Sequence, residues 1–226
     1  RGYKPGGCFL SNLFNADKNA IKIALTGTPL IGSEKASCKI FGDYFHTYYY
    51  DRSIQDGYTL KIIREDIETS YRKKLNDAYE SVQKLVEKGS VSKGLIIEHP
   101  TDVKALLRYI INDLVRFRAM QGDNDLGGMI ICESSDQARN LYKFFNEIQD
   151  ELNENRIQKI NLKAGLILFD SDDKETRKQI VKNFKKNYTI DVLIVFNMLL
   201  TGFDAPRLKR LYFGRKIKDH NLLQAI

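Results

Sequence analysis

Residues 197–206 read Asn-Met-Leu-Leu-Thr-Gly-Phe-Asp-Ala-Pro. This stretch lies between two apolar runs, 191–196 and 208–213, that are typical of buried strands. Further apolar runs at 129–132 and 162–169 alternate with amphipathic helical patterns. Alternation of strands and helices is typical of a parallel sheet with right-handed crossovers. The sequence therefore predicts an α/β fold with a parallel sheet and flanking helices.

The loop 197–206 carries side chains suited to a ligand. A polar loop between buried strands belongs at the sheet edge where α/β folds bind their ligands. Thr201 offers a hydroxyl to a phosphate oxygen, and Gly202 lets a ligand approach the backbone closely. Asp204 supplies a carboxylate, and Pro206 stiffens the end of the loop. Taken singly, each residue also fits an ordinary connection between strands.

The helical patterns have recognisable ends. One helix is expected over 65–88, and a second after Pro100 that ends at Gly122. Ser134 is expected to cap a third helix with Gln137 as its reciprocal partner. Asp172 and Glu175 resemble a capping box for a fourth helix, in which Ile180, Val181 and Phe184 face inward.

The first sixty residues are less regular. Residues 19–25 alternate enough to predict a strand, which runs into the turn-forming sequence Thr26-Gly-Thr-Pro29. Residues 40–60 are rich in aromatics. Aromatics among polar residues can stack on nucleic-acid bases, but a strand-rich packing surface is the favoured interpretation.

Composition limits the function classes. The 226 residues are 42% hydrophobic and 29% charged, as in a soluble globular protein. The apolar runs are too short to span a bilayer, and no signal peptide is visible. Because the first residue is not Met, a piece of a longer chain is expected. Three scattered cysteines, with Cys132 in an apolar run, argue for a reducing compartment and against a disulfide framework or zinc site.

Positive charge clusters around the loop 197–206. The net charge is +7, and basic residues follow the loop and precede it on the fourth helix. Such crowding beside a candidate phosphate loop favours a nucleic-acid backbone as partner, although a solvated basic face is the ordinary alternative. These residues are Arg207, Lys209, Arg210, Arg215, Lys216 and Lys218 after the loop, and Lys178, Lys182, Lys185 and Lys186 before it.

Standard catalytic motifs are absent from the sequence. There is no Gly-x-x-x-x-Gly-Lys-Ser/Thr phosphate loop, no Gly-x-Gly-x-x-Gly and no arguable nucleophile–base arrangement. From the residues alone, a polyphosphate or nucleic-acid partner is as far as the chemistry leads.

Several strings resemble a known family. Thr26–Pro29 resembles motif III of superfamily 2 helicases, and residues 197–206 resemble their motif V. Longer strings at 40–52, 132–138 and 212–226 resemble the R subunit of type I restriction enzymes. That subunit is an ATP-driven DNA translocase with a nuclease domain, in which two RecA-like lobes clamp ATP and DNA runs across both.

The resemblance implies an arrangement of domains. Residues 1–63 would be the C-terminal part of the first RecA-like motor lobe, 64–125 a helical linker or insertion, and 126–226 a truncated second lobe. The phosphate loop, the Asp-Glu-x-His box, motif VI and the nuclease site would lie outside the chain. It would then contain no catalytic or metal-binding residue and be inactive alone.

The resemblance also implies roles, cofactors and partners. ATP and Mg²⁺ would be the cofactors. The partners would be double-stranded DNA and the modification and specificity subunits. The protein would lie in the prokaryotic cytoplasm, without membrane contact. The implied roles are motor coupling for Thr26, Gly27, Thr28 and Pro29, DNA-backbone contact for Ser134, Ser135, Thr201 and Gly202, and the ATP cleft for Gly202 and Asp204.

Two other hypotheses stay open. The chain could belong to a superfamily 2 helicase or repair enzyme without restriction activity. It could also be a non-catalytic α/β module that binds nucleic acid or protein through its basic face. A phosphate-loop lysine and a nuclease core upstream would separate all three.

Overall fold

A computed structural model describes residues 12, 15–27, 38–59, 61–63, 65, 73, 76–77, 80, 98–169, 173–199 and 203–214. The chain divides into two compact units, whose described parts lie within residues 1–64 and 65–218. The three predicted domain ranges stay predictions. Of the helix predicted over 65–88, four described residues at 73, 76, 77 and 80 are helical.

In the first unit the described residues include two short helices with complete bounds, α1 (Cys38–Phe41) and α2 (Tyr50–Gln55), and Asn12, Asn15 and Ala16 are also helical. The strand predicted at 19–25 is wrong: residues 21–26 have no regular structure, and the side chains of Ile21 and Leu25 are 90% and 89% exposed. The physical reason is that no strand lies beside this segment within the described residues. A lone extended segment leaves its backbone N–H and C=O groups unpaired.

The strand-rich packing surface predicted for residues 40–60 is also wrong. Local hydrogen bonds bend this segment around α2: the Tyr48 hydroxyl donates to Asp56 Oδ2 (2.8 Å), and the Tyr50 hydroxyl accepts from the Ile62 amide (2.7 Å). Most of the aromatic side chains are exposed, Phe45 and Tyr58 above all. Aromatic β-propensity is therefore overridden here by tyrosine hydroxyls that bond within the segment.

The second unit is built on a sheet of four parallel strands in its described part. They are β1 (Gly127–Ile131), β2 (Ala164–Ile167), β3 (Val192–Val195) and β4 (Leu208–Phe213), in the order β2-β3-β1-β4. This confirms the predicted α/β fold. Its two central strands, β1 and β3, are wholly buried, as expected for a parallel sheet covered on both faces.

One face of the sheet is covered by two long helices, α3 (Pro100–Gln121) and α4 (Ser135–Asn153). Their apolar stripes bury Leu107, Ile111, Leu141 and Phe145 against alternate strand residues such as Ile130. The helix α3 ends as the sequence predicts, with Gly122 in the left-handed region at φ 64°.

The other face is covered by α5 (Lys174–Lys182), a π-helical turn (Asn183–Asn187) and the described residues of the loop 197–206. Phe184 is fully buried at the centre of this layer. The prediction that Asp172 caps α5 is wrong. Asp173 does so, because its extended backbone lets its carboxylate accept from the Thr176 amide (2.7 Å).

No helix within the described ranges is long and apolar enough to cross a membrane.

Candidate functional site

The candidate site lies at the carboxyl edge of the sheet, where β1 and β3 end side by side. Ile131 pairs with Val195, and the Cys132 amide donates to the Val195 carbonyl (2.9 Å). The turn 133–135 and the start of the loop 197–206 therefore leave the sheet next to each other. The structure thus brings the turn 133–135, with the predicted contacts Ser134 and Ser135, beside the start of the loop 197–206.

Ser134 caps α4, as predicted. Its Oγ accepts from the Gln137 amide (3.0 Å) and donates its only hydrogen to Glu98 Oε1 (2.6 Å). A serine hydroxyl has one proton to donate, so Ser134 has none left for a phosphate while Glu98 is in place. Ser135 begins the helix and is half-buried, so it keeps access to solvent.

Gln137 does not form the predicted reciprocal bond to the Ser134 amide. Its side chain is almost fully buried, its Oε1 accepts from the Glu133 amide (2.8 Å), and its Nε2 donates to the Gly214 carbonyl (3.4 Å). The Gly214 amide in turn donates to the Ile131 carbonyl (2.9 Å). Gln137 therefore joins the carboxyl ends of β1 and β4.

The described parts of the loop 197–206 pack against the sheet. Asn197 and Leu199 have positive φ values of 52° and 58°, which is uncommon for a leucine and marks a tightly bent chain. Phe203 and Ala205 pack into the core, whereas Asp204 between them is exposed. The carboxylate is thus held on a fixed backbone with its side chain in solvent. The predicted contacts Thr201 and Gly202 lie outside the described residues.

Arg207 follows this loop and is buried, with 5% of its surface exposed. Its Nε donates to the Asp125 carbonyl (2.5 Å), and its Nη1 donates to the carbonyls of Phe184 (2.9 Å) and Ile190 (2.8 Å). Burial lowers the pKa of its guanidinium, an effect that the neighbouring Asp191 opposes. Its assignment to a DNA-facing basic flank is therefore wrong, because packing has turned the charge inward.

Asp191 joins two of the buried arginines at the amino-terminal edge of the sheet. Its Oδ1 lies 2.7 Å from Arg118 Nη2 and 3.6 Å from Arg207 Nη2, and its Oδ2 accepts from the Lys163 amide (2.8 Å). Desolvated charges are retained only when they are paired in this way. The sequence signal for this cluster was weak, because an Asp before a strand is also a common turn residue.

Arg210 belongs to a second internal cluster. Its Nε lies 3.5 Å from Asp113 Oδ2, its Nη1 is 2.5 Å from Glu65 Oε2, and its guanidinium covers the Phe117 ring at 4.1 Å. The Tyr212 hydroxyl donates to the same Asp113 Oδ2 (2.8 Å), and burial followed by the Asp113 charge raises the pKa of Tyr212. The inclusion of Arg210 in the DNA-facing flank is wrong for the same reason as that of Arg207.

The end of β2 carries a feature that sequence reasoning missed. The Phe169 ring is largely exposed, and Arg177 Nη1 donates to the Phe169 carbonyl (3.0 Å) and the Leu168 carbonyl (3.3 Å). Arg177 thus places positive charge at the carboxyl edge. A basic residue one turn into α5 was the available signal.

The motif at Thr26–Pro29 is described only in its first half. Thr26 and Gly27 lie in exposed, irregular chain of the first unit, and Thr28 and Pro29 lie outside the described residues. Across the described ranges, no group of three or more His, Cys, Asp and Glu could hold a metal ion.

Comparisons with known proteins connect this geometry to a family. A family model described as type I restriction enzyme subunit R domain 3 matches residues 154–226, which include β2, β3, β4 and the loop 197–206. A second model, described as SWI2/SNF2 ATPase, matches residues 6–93. The chain is similar to the R subunit of type I restriction enzymes.

Curated relatives of the R subunit carry the similarity across most of the chain. The HindI endonuclease subunit of Haemophilus influenzae is 28% identical over 96% of the chain. The putative MjaVIIIP endonuclease subunit of Methanocaldococcus jannaschii is 27% identical over 92%, and the SauCOLORF180P endonuclease subunit of Staphylococcus aureus 25% identical over 92%. The aligned part is 22%, 24% and 26% of these relatives, so the chain spans about a quarter of their length.

Together with the SWI2/SNF2 match, the parallel sheet flanked by helices is consistent with a RecA-like fold.

Proposed function

We propose that this chain is part of the ATP-dependent DNA translocase motor of a type I restriction endonuclease R subunit. The observation that carries the proposal is the adjacency of the β1 and β3 ends, from which the turn 133–135 and the start of the loop 197–206 leave the sheet side by side. Two polar segments at one edge of a parallel sheet form a surface along which a phosphate backbone can lie. The similarity to R subunits supports the same role.

We assign the contacts of the protein to the phosphate backbone of DNA and not to its bases. Ser135, Thr201 and the amides around Gly202 would donate to phosphate oxygens, and such contacts position a duplex without reading its sequence. Ser134 would act beside them as the helix cap, since its hydroxyl proton goes to Glu98. Contacts to phosphates alone suit a motor that moves along DNA of any sequence.

Nucleotide contact is assigned to the exposed carboxylate of Asp204, together with Gly202. A carboxylate repels the phosphates of ATP, so Asp204 would orient an arginine or a water molecule. Thr26–Pro29 would couple the nucleotide state to DNA. By the family resemblance, the groups that hold ATP phosphates and Mg²⁺ are assigned to other parts of the protein.

The wider assignments follow from the family. Residues 1–63 would complete a first motor lobe, 64–125 would link the lobes, and 126–226 would form most of the second lobe. Double-stranded DNA and the modification and specificity subunits would be the partners, in the cytoplasm of a prokaryote. By itself the chain is expected not to hydrolyse ATP, because its sequence contains no phosphate-loop motif. It is expected not to cut DNA, because the family resemblance assigns the nuclease site to another part of the protein.

A binding titration of the chain tests the DNA contact. Fluorescence anisotropy with two unrelated duplexes of equal length should give equal affinities at each salt concentration. The logarithm of affinity should fall with the logarithm of salt with a slope of about −2 to −4, as expected if roughly two to four phosphates are neutralised by nearby Lys or Arg side chains. Binding that is indifferent to salt, or absent at low salt, would refute the DNA role.

A threonine pair sharpens the test. Thr201→Ala should weaken binding severalfold while leaving the salt slope unchanged, because a hydroxyl carries no charge. Thr189→Ala is the matched control, because Thr189 is exposed just before β3, at the opposite edge of the sheet. This variant should bind DNA with the affinity of the unaltered chain. In the complete subunit, Thr201→Ala and Asp204→Ala should lower DNA-stimulated ATP turnover, and unchanged turnover in both would remove the motor assignment.

A further inference from the structure

Arg207 lies immediately after the loop 197–206 but is turned away from solvent. Its side chain bonds to carbonyls from three segments: the turn before β1 at Asp125, the π-helical turn at Phe184, and the residue Ile190 before β3. Its own carbonyl accepts from the Gly127 amide (2.7 Å). One arginine therefore fixes where the loop ends relative to the amino-terminal ends of β1 and β3.

The Arg207 side chain also reaches the middle of the loop through an aromatic ring. The guanidinium lies 5.0 Å from the centre of the Phe184 ring, within cation–π range. The Phe184 ring lies 6.1 Å from the Phe203 ring at an interplanar angle of 41°. Phe203 directly precedes Asp204, and Lys185 covers the Phe203 ring at 5.1 Å.

The Phe184 ring has little freedom to shift from this position. It is fully buried, and a Cβ added at Gly127 would lie 2.6 Å from its Cζ. Close packing of this kind transmits displacement from one side chain to the next. A change at Arg207 should therefore be felt at Phe203 and at the backbone of Asp204.

We propose that Arg207 is a positioning residue that holds residues 203–206 in place through Phe184 and so sets the direction in which Asp204 is presented. The functional half of this inference rests on the nucleotide role proposed for Asp204. The structural half, that Arg207 immobilises this part of the loop, stands on the contacts alone.

Arg118 provides a matched control within the same cluster. It is similarly buried and pairs with the same Asp191, but its Nε donates to the Leu126 carbonyl (2.7 Å), away from the loop. Loss of either guanidinium breaks a buried ion pair, so both variants should lose stability. Only loss of Arg207 should loosen the loop.

Amide hydrogen exchange on the folded chain tests the structural half. In Arg207→Met the amides of Phe203, Asp204 and Ala205 should exchange about tenfold faster than in the unaltered chain. In Arg118→Met these amides should keep their rates, while those around Leu126 exchange faster. Arg207→Lys should show the same faster exchange as Arg207→Met, because an ammonium group cannot donate to three carbonyls in the directions that a guanidinium reaches. The Lys variant replaces the Met variant in this test if the Met variant does not fold. Equal loop exchange in the Arg207 and Arg118 variants would overturn the inference.

ATP turnover of the complete subunit tests the functional half. The Arg207 variants should reduce the ratio of DNA-stimulated to unstimulated turnover, and Arg118→Met should leave that ratio unchanged. A normal ratio in the Arg207 variants, with a reduced ratio in Asp204→Ala, would overturn the functional half. A normal ratio in Asp204→Ala would instead overturn the nucleotide role of Asp204, while the exchange rates would still decide whether Arg207 holds the loop.

Discussion

Asp191→Asn should strongly destabilise the sheet-containing unit. The substitution keeps the size of the side chain and removes its charge. Asp191 is the shared acid of two arginines, Arg118 at 2.7 Å and Arg207 at 3.6 Å, and all three side chains are at most 13% exposed. The neutral variant would leave two buried guanidinium groups without the carboxylate that they share.

The magnitude follows from this burial. Removing one partner of a buried ion pair costs about 3–5 kcal/mol. Asparagine keeps one oxygen, which can accept from Arg118 or from the Lys163 amide but not from both at their present positions, so the lower end of about 3 kcal/mol is expected. For a chain of this size the melting temperature should fall by about 6–12 °C.

Urea unfolding followed by far-ultraviolet circular dichroism measures the change. The midpoint should shift at constant slope, which indicates a loss of stability without a change in the surface exposed on unfolding. Glu175→Gln is the matched control: Glu175 pairs with Lys178 at 2.7 Å, but both side chains are solvent-exposed, so the cost should stay within about 0.5 kcal/mol. A loss below about 1 kcal/mol in Asp191→Asn would refute the counter-charge argument.

Three further substitutions test other parts of the second unit. Gly127→Ala should cost about 2 kcal/mol or more in urea unfolding, because its Cβ would lie 2.6 Å from the Phe184 ring; a neutral result would contradict the packing of that ring. Burial raises the pKa of Asp102 to about 6, so its contribution to stability is present below pH about 4 and is lost as the pH rises through 6. Asp102→Asn should therefore gain about 1 kcal/mol at pH 7, discounted for partial exposure, and should flatten the pH profile between about 4 and 6; an unchanged profile would refute the shift. Tyr212→Phe should cost about 2 kcal/mol in thermal unfolding by removing a bond to the buried Asp113 carboxylate, and a cost near zero would show that this bond is not needed.

Much of the second unit could be predicted from the sequence because its local signals agree with one another. The run 208–213 is a strand with the predicted bounds, and Gly122 ends α3 in the left-handed conformation that glycine tolerates best. Ser134 caps α4 as its spacing indicated. In each case the residue or run of residues has one strongly preferred structural role at that position.

The first unit could not be predicted in the same way. Residues 19–25 have the alternation of a strand, but a strand depends on neighbours to which it can bond, and periodicity carries no information about them. The aromatic segment 40–60 similarly follows tyrosine hydroxyl bonds that no pattern of apolar residues reveals.

The candidate site was predicted unevenly for a related reason. Strand order determines which loops become neighbours, so the parallel pairing of β1 and β3 was needed to bring the turn 133–135 beside the start of the loop 197–206. Arg207 and Arg210 were placed on a DNA-facing flank because charge in a sequence does not reveal the direction of a side chain. The ion pairs of Arg207 with Asp191 and of Arg210 with Asp113, and the hydrogen bonds of Arg207 to backbone carbonyls, show that those two positive charges are used within the fold. The roles of Thr26, Ser135, Thr201, Gly202 and Asp204 stay predictions.

The buried amide of Gln137 has a mechanical consequence. It is bonded at one end to the Glu133 amide and at the other to the Gly214 carbonyl, across two strands that are themselves paired. The carboxyl ends of β1 and β4 are thus connected by side-chain as well as backbone hydrogen bonds. A force applied to the chain beyond Gly214 would therefore act on the turn at Glu133 as well as on β4.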